Sequence, residues 1–177
     1  MNFSRSLLVF LLICATTAQA QLFKRDPGDE LEQPDEESLQ LPSYPTEANL
    51  VPFDPGFVSS FTYYIDTSSL KVGETDRVVR YALVVKSNSG ATNVTYEGLR
   101  CDTAEKKVWA YGDGKNGWSK ARDPQWKPFE KEIYRRTLYD YFFCPRTILV
   151  GSVREAIDAL KKGGHPHAPY TQSSDQH

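Results

Sequence analysis

"VVRYALVVKSNSGATNVTYEGLRC", residues 78–101, decides the fold. Two runs rich in valine, tyrosine and threonine flank "SNSG" at residues 87–90. β-Branched and aromatic side chains suit a pleated, half-buried surface, while Asn, Ser and Gly supply a turn, so the stretch predicts a β-hairpin. "FTYYID" (61–66) before it, and "KKVWAYG" (106–112) and "WSKA" (118–121) after it, read as further strands, with "DGKNG" (113–117) as a second tight turn. Strands that follow one another through short turns make an antiparallel meander, here of four to five strands.

The period then changes. "PFEKEIYRRTLYDYFFCP" (128–145) opens on a proline that suits a helix start and closes on one that cannot continue a helix. Phe129, Ile133, Thr137 and Tyr141 form its expected apolar stripe, with Tyr134, Leu138 and Phe142 beside it. A second helix is expected after Ser152, which forms an S-x-x-E capping box with Glu155 and precedes an apolar face of Val153, Ala156, Ile157 and Leu160. Gly163 ends it. The expectation is one α+β domain over residues 48–163, with two C-terminal helices packed on the sheet and a loose tail over 164–177.

The N-terminus reads differently. "MNFSRSLLVFLLICATTAQA" has a positive Arg5, an apolar run from Leu7 to Ala15 too short to span a bilayer, and Ala18-Gln19-Ala20 in small-x-small form. This predicts a secretory signal peptide over residues 1–20. The rival reading lipidates Cys14, but Ile13 is large where a small residue is required. No later run reaches the roughly 18 apolar residues of a membrane span. Residues 21–47 hold eight acidic residues, two basic ones, and prolines at 27, 34, 42 and 45, and read as a disordered acidic arm. Without Arg5 the charges are 20 Lys+Arg against 23 Asp+Glu, a net of −3. That balance argues against nucleic acid or an anionic membrane as partner.

Cleavage would leave Cys101 and Cys144. An even count in an oxidising compartment predicts that they pair. A bridge between these positions stabilises by about 4 kcal/mol in the chain-entropy model. It would join the end of the second hairpin strand to the end of the first helix. The competing reading is a reactive thiol, since Arg100 and Arg146 flank the two cysteines and would favour a thiolate.

Three ionisable residues invite a site: Arg80, Glu97 and Arg100. If Lys86 pairs with Ala91, Arg80 opposes Glu97 as a cross-strand ion pair, Tyr81 opposes Tyr96, and Arg77 opposes Arg100 unfavourably. Gly98 would then mark a bulge that resets the pleat. A catalytic Glu97 would need a second group aimed at the same point. "GDGKNG" (112–117) is rich in oxygen ligands but lacks the closing glutamate of an EF-hand. The histidines are His165, His167 and the terminal His177, all in the tail, so triad chemistry has no base inside the domain, and no zinc ligand set is evident. No Walker loop, dinucleotide fingerprint or haem motif occurs, so no cofactor is expected. The aromatics, Trp109, Tyr111, Trp118 and Trp126 among them, read as core and rim, or else as a platform for glycan or peptide. Asn93-Val94-Thr95 is a glycosylation sequon placed within a strand.

"VVRYALVVKSNSGATNVTYEGLRC", then "ARDPQWKP" (121–128) and "LYDYFFCP" (138–145), together resemble the cryptic neisserial protein 1-like family over roughly residues 43–160. Glu97–Cys101 (E-G-[IL]-R-C) and Tyr141–Pro145 (Y-F-x-C-P) carry the likeness. The resemblance implies an exported protein of a Gram-negative bacterium, which makes the sequon irrelevant, and it supplies no catalytic residue. The functional expectation is a non-enzymatic periplasmic or envelope-associated module that binds an envelope protein or cell-wall component. Its rival is a small cell-wall-modifying or hydrolytic enzyme that uses Glu97. An open cleft around Glu97 would favour the enzyme, and a helix over it would favour the module.

Overall fold

The computed structural model describes residues 36–129 and 131–169. The predicted signal peptide, residues 21–35 of the arm, and His177 lie outside the described residues. The strands are β1 (Leu50–Phe53), β2 (Phe61–Val72), β3 (Val78–Ser87), β4 (Thr92–Arg100), β5 (Glu105–Gly112), β6 (Trp118–Lys120) and β7 (Lys127–Pro128). They form one seven-stranded antiparallel sheet in the order β1-β2-β3-β4-β5-β6, with β7 also paired to β5. The α+β meander is therefore as expected, with more strands. Unforeseen β1 and β7 are short and carry prolines, Pro52 and Pro128, which are tolerated at sheet edges but blur a strand pattern.

The central hairpin differs from the expected pairing by one residue. Lys86 pairs with Thr92, Tyr81 with Glu97, Ala82 with Tyr96 and Val78 with Arg100. The turn explains the difference. Ser87 N–H donates to Ala91 O, and Gly90 takes φ 92°, the left-handed conformation that closes a tight three-residue loop. Because strand side chains alternate, this single step moves Glu97 to the opposite face from Arg80. The β3–β4 register is unbroken, so Gly98 is no bulge. The irregularity lies on β5, where pairing jumps from Tyr96↔Ala110 to Glu97↔Val108 and leaves Trp109 extra. Gly98 has another reason: a Cβ there would lie 2.7 Å from the Trp109 ring.

One sheet face packs under the helices. Ile65, Val79, Tyr81, Leu83 and Leu99 meet Leu138, Phe142, Phe143, Ala156 and Leu160 there. The first helix starts later than expected, as α1 (Ile133–Thr137), and continues as a π-helical turn over Leu138–Phe143. Residues 127–128 are drawn into the sheet instead. The expected stripe is also rotated: Ile133 is 56% exposed, whereas Arg135, Leu138, Tyr139, Phe142 and Phe143 are buried. Their first four positions, at i, i+3, i+4 and i+7, define the true inward face, and the wider π turn carries Phe143 inward too. Helix α2 (Val153–Lys161) starts at Ser152, whose hydroxyl accepts from Glu155 N–H, as the capping box predicted.

Cys101 and Cys144 form the predicted disulfide, with Cα atoms 5.4 Å apart. It ties the end of β4 to the end of the π turn, and Tyr139 Oη donates to Cys101 O alongside it. Both ends of the domain extend further than the sequence suggested. Residues 36–47 of the arm lie against the outer sheet face, where Leu41 joins Trp109 and Trp118 in a second apolar cluster. In the tail, His165 is buried and its N–H donates to Tyr141 O. Among the described residues no helix is long and apolar enough to cross a membrane.

Candidate functional site

Glu97 sits beneath the first helix with no solvent exposure. Arg135 grips it with both prongs, Nε to Oε1 at 2.9 Å and Nη2 to Oε2 at 2.7 Å. Tyr81 Oη donates to Oε1 and Thr95 Oγ1 to Oε2, each at 3.0 Å. Burial alone would raise the Glu97 carboxyl, but the Arg135 charge and these donors outweigh it and hold the carboxyl below its ordinary value. Burial pushes the Tyr81 hydroxyl well up, and the Glu97 charge adds to this. Arg135 also contacts Glu132, which pairs in turn with Lys106. Burial, with the Arg135 charge nearby, brings Lys106 down to about 8. A general acid or base must reach a substrate and exchange a proton. This carboxylate is sealed from solvent and holds four hydrogen bonds, the geometry of a buried ion pair.

Arg80 is thus not the partner of Glu97. It lies on the outer face, paired to buried Asp76, with its guanidinium 5.3 Å from the Trp109 ring centroid. Arg100 lies on that face too. Its guanidinium stacks 4.1 Å from the Trp126 ring centroid and stands 3.9 Å from the Glu36 carboxylate. The two arginines belong to a ladder of rings running Tyr44, Trp118, Tyr96, Trp109, Trp126, with successive centroids 5.2–6.1 Å apart. Glu36 caps one end, accepting from Lys107 Nζ at 2.7 Å and Trp126 Nε1 at 2.6 Å. At the other end Trp118 Nε1 donates to Pro42 O at 2.9 Å.

At the turn end of the central hairpin lies a cleft of about 610 Å³, within the usual range for small-ligand sites. Tyr44, Glu47, Lys86, Asn93, Tyr111 and Asn116 are among its lining residues. Tyr111 is half exposed. Hydroxyls, amides and an open aromatic ring can take hydrogen bonds and stack on an apolar ring face, which is the chemistry of sugar and peptide recognition. Glu47 holds Lys86 Nζ at 2.6 Å, so the cleft carries no bare cation of its own there.

The remaining sequence candidates are structural in placement. Asp113 Oδ1 accepts from Lys115 and Gly117 N–H, which makes "DGKNG" a closed hairpin turn. His165 Nδ1 accepts from His167 N–H, so Nε2 carries the proton and donates to Glu155 at 2.8 Å. No group of three or more His, Cys, Asp or Glu able to hold a metal occurs among the described residues. Both cysteines are consumed by the disulfide, which removes the reactive-thiol reading.

The family model of the CNP1-like family matches residues 29–161, from within the arm to the last residue of α2. The chain belongs to the CNP1-like family. Cryptic neisserial protein 1 of Neisseria gonorrhoeae is 27% identical to it over 117 residues. That alignment covers 57% of this chain, and the chain spans 57% of the length of that curated relative. No solved structure matches. The family match includes residues 36–47, which lie on the sheet.

Proposed function

We propose that this CNP1-like protein is exported to the periplasm or envelope and acts there as a non-enzymatic binding or accessory module. The observation that carries the reading is Glu97: the one carboxylate that sequence reasoning put forward for catalysis is fully buried and holds four hydrogen bonds. The cleft beside Tyr111 supports it, since its polar and aromatic lining suits a neutral, hydroxyl- or amide-rich ligand such as a glycan strand or a peptide. The pattern of Arg5, Leu7–Ala15 and Ala18–Ala20 supports export.

The test uses residues 21–177 as bait against an envelope extract, beside the Tyr111→Ala variant. The expected result is an envelope component retained by wild type and lost with the variant. A bait that stays monomeric and retains nothing overturns the reading. For export, protein from the periplasmic fraction should begin at Gln21, whereas cytosolic protein with residues 1–20 intact counts against it.

A further inference from the structure

The outer sheet face is built like a peptide-binding site that already contains a peptide. Among the described residues, 36–46 form no helix or strand, and no backbone–backbone hydrogen bond joins residues 36–45 to the sheet. Its hydrogen bonds to the rest of the domain each involve a side chain: Glu37 N–H donates to Asp76, and the Glu37 carboxylate accepts from Thr75 N–H and Oγ1–H. The Glu36 carboxylate meets Lys107, Trp126 Nε1–H and, more distantly, Arg100. Leu39 and Leu41 line a groove together with Trp109 and Pro124. Pro42 O takes the Trp118 indole N–H, and the Tyr44 ring packs on that indole. A carboxylate at one end, aliphatic side chains in the middle and a proline–aromatic end are read by a cationic, tryptophan-lined floor.

The fit is incomplete in an informative way. Two buried side-chain polar atoms lack any hydrogen-bond partner among the described residues: Tyr96 Oη and Arg100 Nε. Tyr96 is fully buried and Arg100 is 7% exposed. Both belong to the outer face and to the aromatic and cation–π ladder beneath the arm. Buried polar groups are normally satisfied, and an orphan is a standing penalty on the conformation that contains it. The arm covers this face without answering two of its most buried donors. A segment with an acceptor at those points would hold it better.

We infer that the outer face, centred on Trp109, Trp126 and Arg100, is a recognition site for an extended acidic, leucine-bearing segment of another protein. The chain's own residues 36–44 occupy it as an exchangeable internal ligand. The partner is defined by chemistry: a carboxylate to reach Arg100 and Lys107, an aliphatic residue for the Trp109 groove, and an added acceptor for the orphaned donors. This rests on the reading of the protein as a binding module, and it concerns the Trp109–Trp126 part of the outer face, which adjoins the Tyr111 cleft at Tyr44. Peptide titration reads the outer face and envelope capture by the Tyr111→Ala variant reads the cleft, so the two can fail separately.

The test uses residues 21–177 and a fluorescein-labelled peptide, EESLQLPSYPT, corresponding to residues 36–46. Leu39→Ser with Leu41→Ser loosens the internal arm. Internal occupancy lowers apparent affinity by the unoccupied fraction, so this chain should bind the peptide about tenfold or more tightly than wild type. Adding Arg100→Ala or Trp126→Ala should reverse the gain. As a second measurement, excess unlabelled peptide on the wild-type chain should raise amide exchange within its own residues 36–46 and leave β2–β5 unchanged. Equal or absent binding by both chains, with the arm still protected in wild type, overturns the inference. So does a stable dimer that excludes the peptide, because the occupant would then be a second copy.

Discussion

Residues 97 and 100 of one strand tell opposite stories. On the inner face Glu97 lies under a helix, gripped by Arg135, Tyr81 and Thr95 until nothing on it is left to bond. On the outer face Arg100 lies under an arm without regular structure, stacked on Trp126, with Nε unanswered among the described residues. The contrast teaches where function is to be sought. A buried charge with every partner in place favours one packing, whereas a buried polar atom short of a partner calls for an explanation, which the inferred exchange of the arm supplies. The residue that resembled a catalytic acid belongs to the first kind.

The comparison can be broken most forcefully from the inner side. Arg135→Ala leaves Glu97 buried and uncompensated and should lower stability by about 3–5 kcal/mol, measured by urea denaturation. Glu97→Leu with Arg135→Met should recover most of that loss. A single mutant as stable as wild type would show that the pair does not hold the helix to the sheet. Next comes the disulfide. Cys101→Ser with Cys144→Ser should lose about 4 kcal/mol, and non-reducing mass spectrometry of the native protein should show the two-dalton deficit confined to these positions.

The third test is titration. The Glu97 carboxyl is held below its ordinary value of 4.5 in the folded state. The stability it contributes is therefore fully present above pH 4.5 and is lost as pH falls below it. One such proton gives a slope approaching about 1.4 kcal/mol per pH unit. Glu97→Gln should flatten that part of the acid-unfolding curve, and an unchanged slope would assign the acid sensitivity to other groups. The smallest effect belongs to the outer face. Glu36→Gln removes a partly exposed contact with Lys107 and should change stability by about 0.2–1 kcal/mol, less in high salt. Stability near wild type, together with faster amide exchange over residues 36–46, would sharpen the contrast between a sealed face and a provisional one.

The site was partly legible in advance, and the misreadings have physical causes. A four-residue loop and the three-residue one that Gly90 permits differ by one position in register, which exchanges the two faces of β4. The longer loop would set Glu97 against Arg80. The signal that could have found the true partner was present: Arg135, Leu138, Tyr139 and Phe142 share one helical stripe, and an arginine on an apolar stripe needs a buried carboxylate. An acidic, proline-rich composition carries no sign of the tryptophan-lined face on which residues 36–47 rest.

By itself the sequence determined the α+β class, the order of the main strands, the capping box at Ser152, the pairing of Cys101 with Cys144 and the family. These follow from local periodicity, turn chemistry, cysteine arithmetic and short motifs, which do not depend on what lies across the core. Only the tertiary structure decided which arginine neutralises Glu97, which face Arg100 occupies and where the arm rests. Those outcomes turn on a one-residue register step and on contacts between segments far apart in the chain. Alternation of side chains across a strand turns that small step into a change of face.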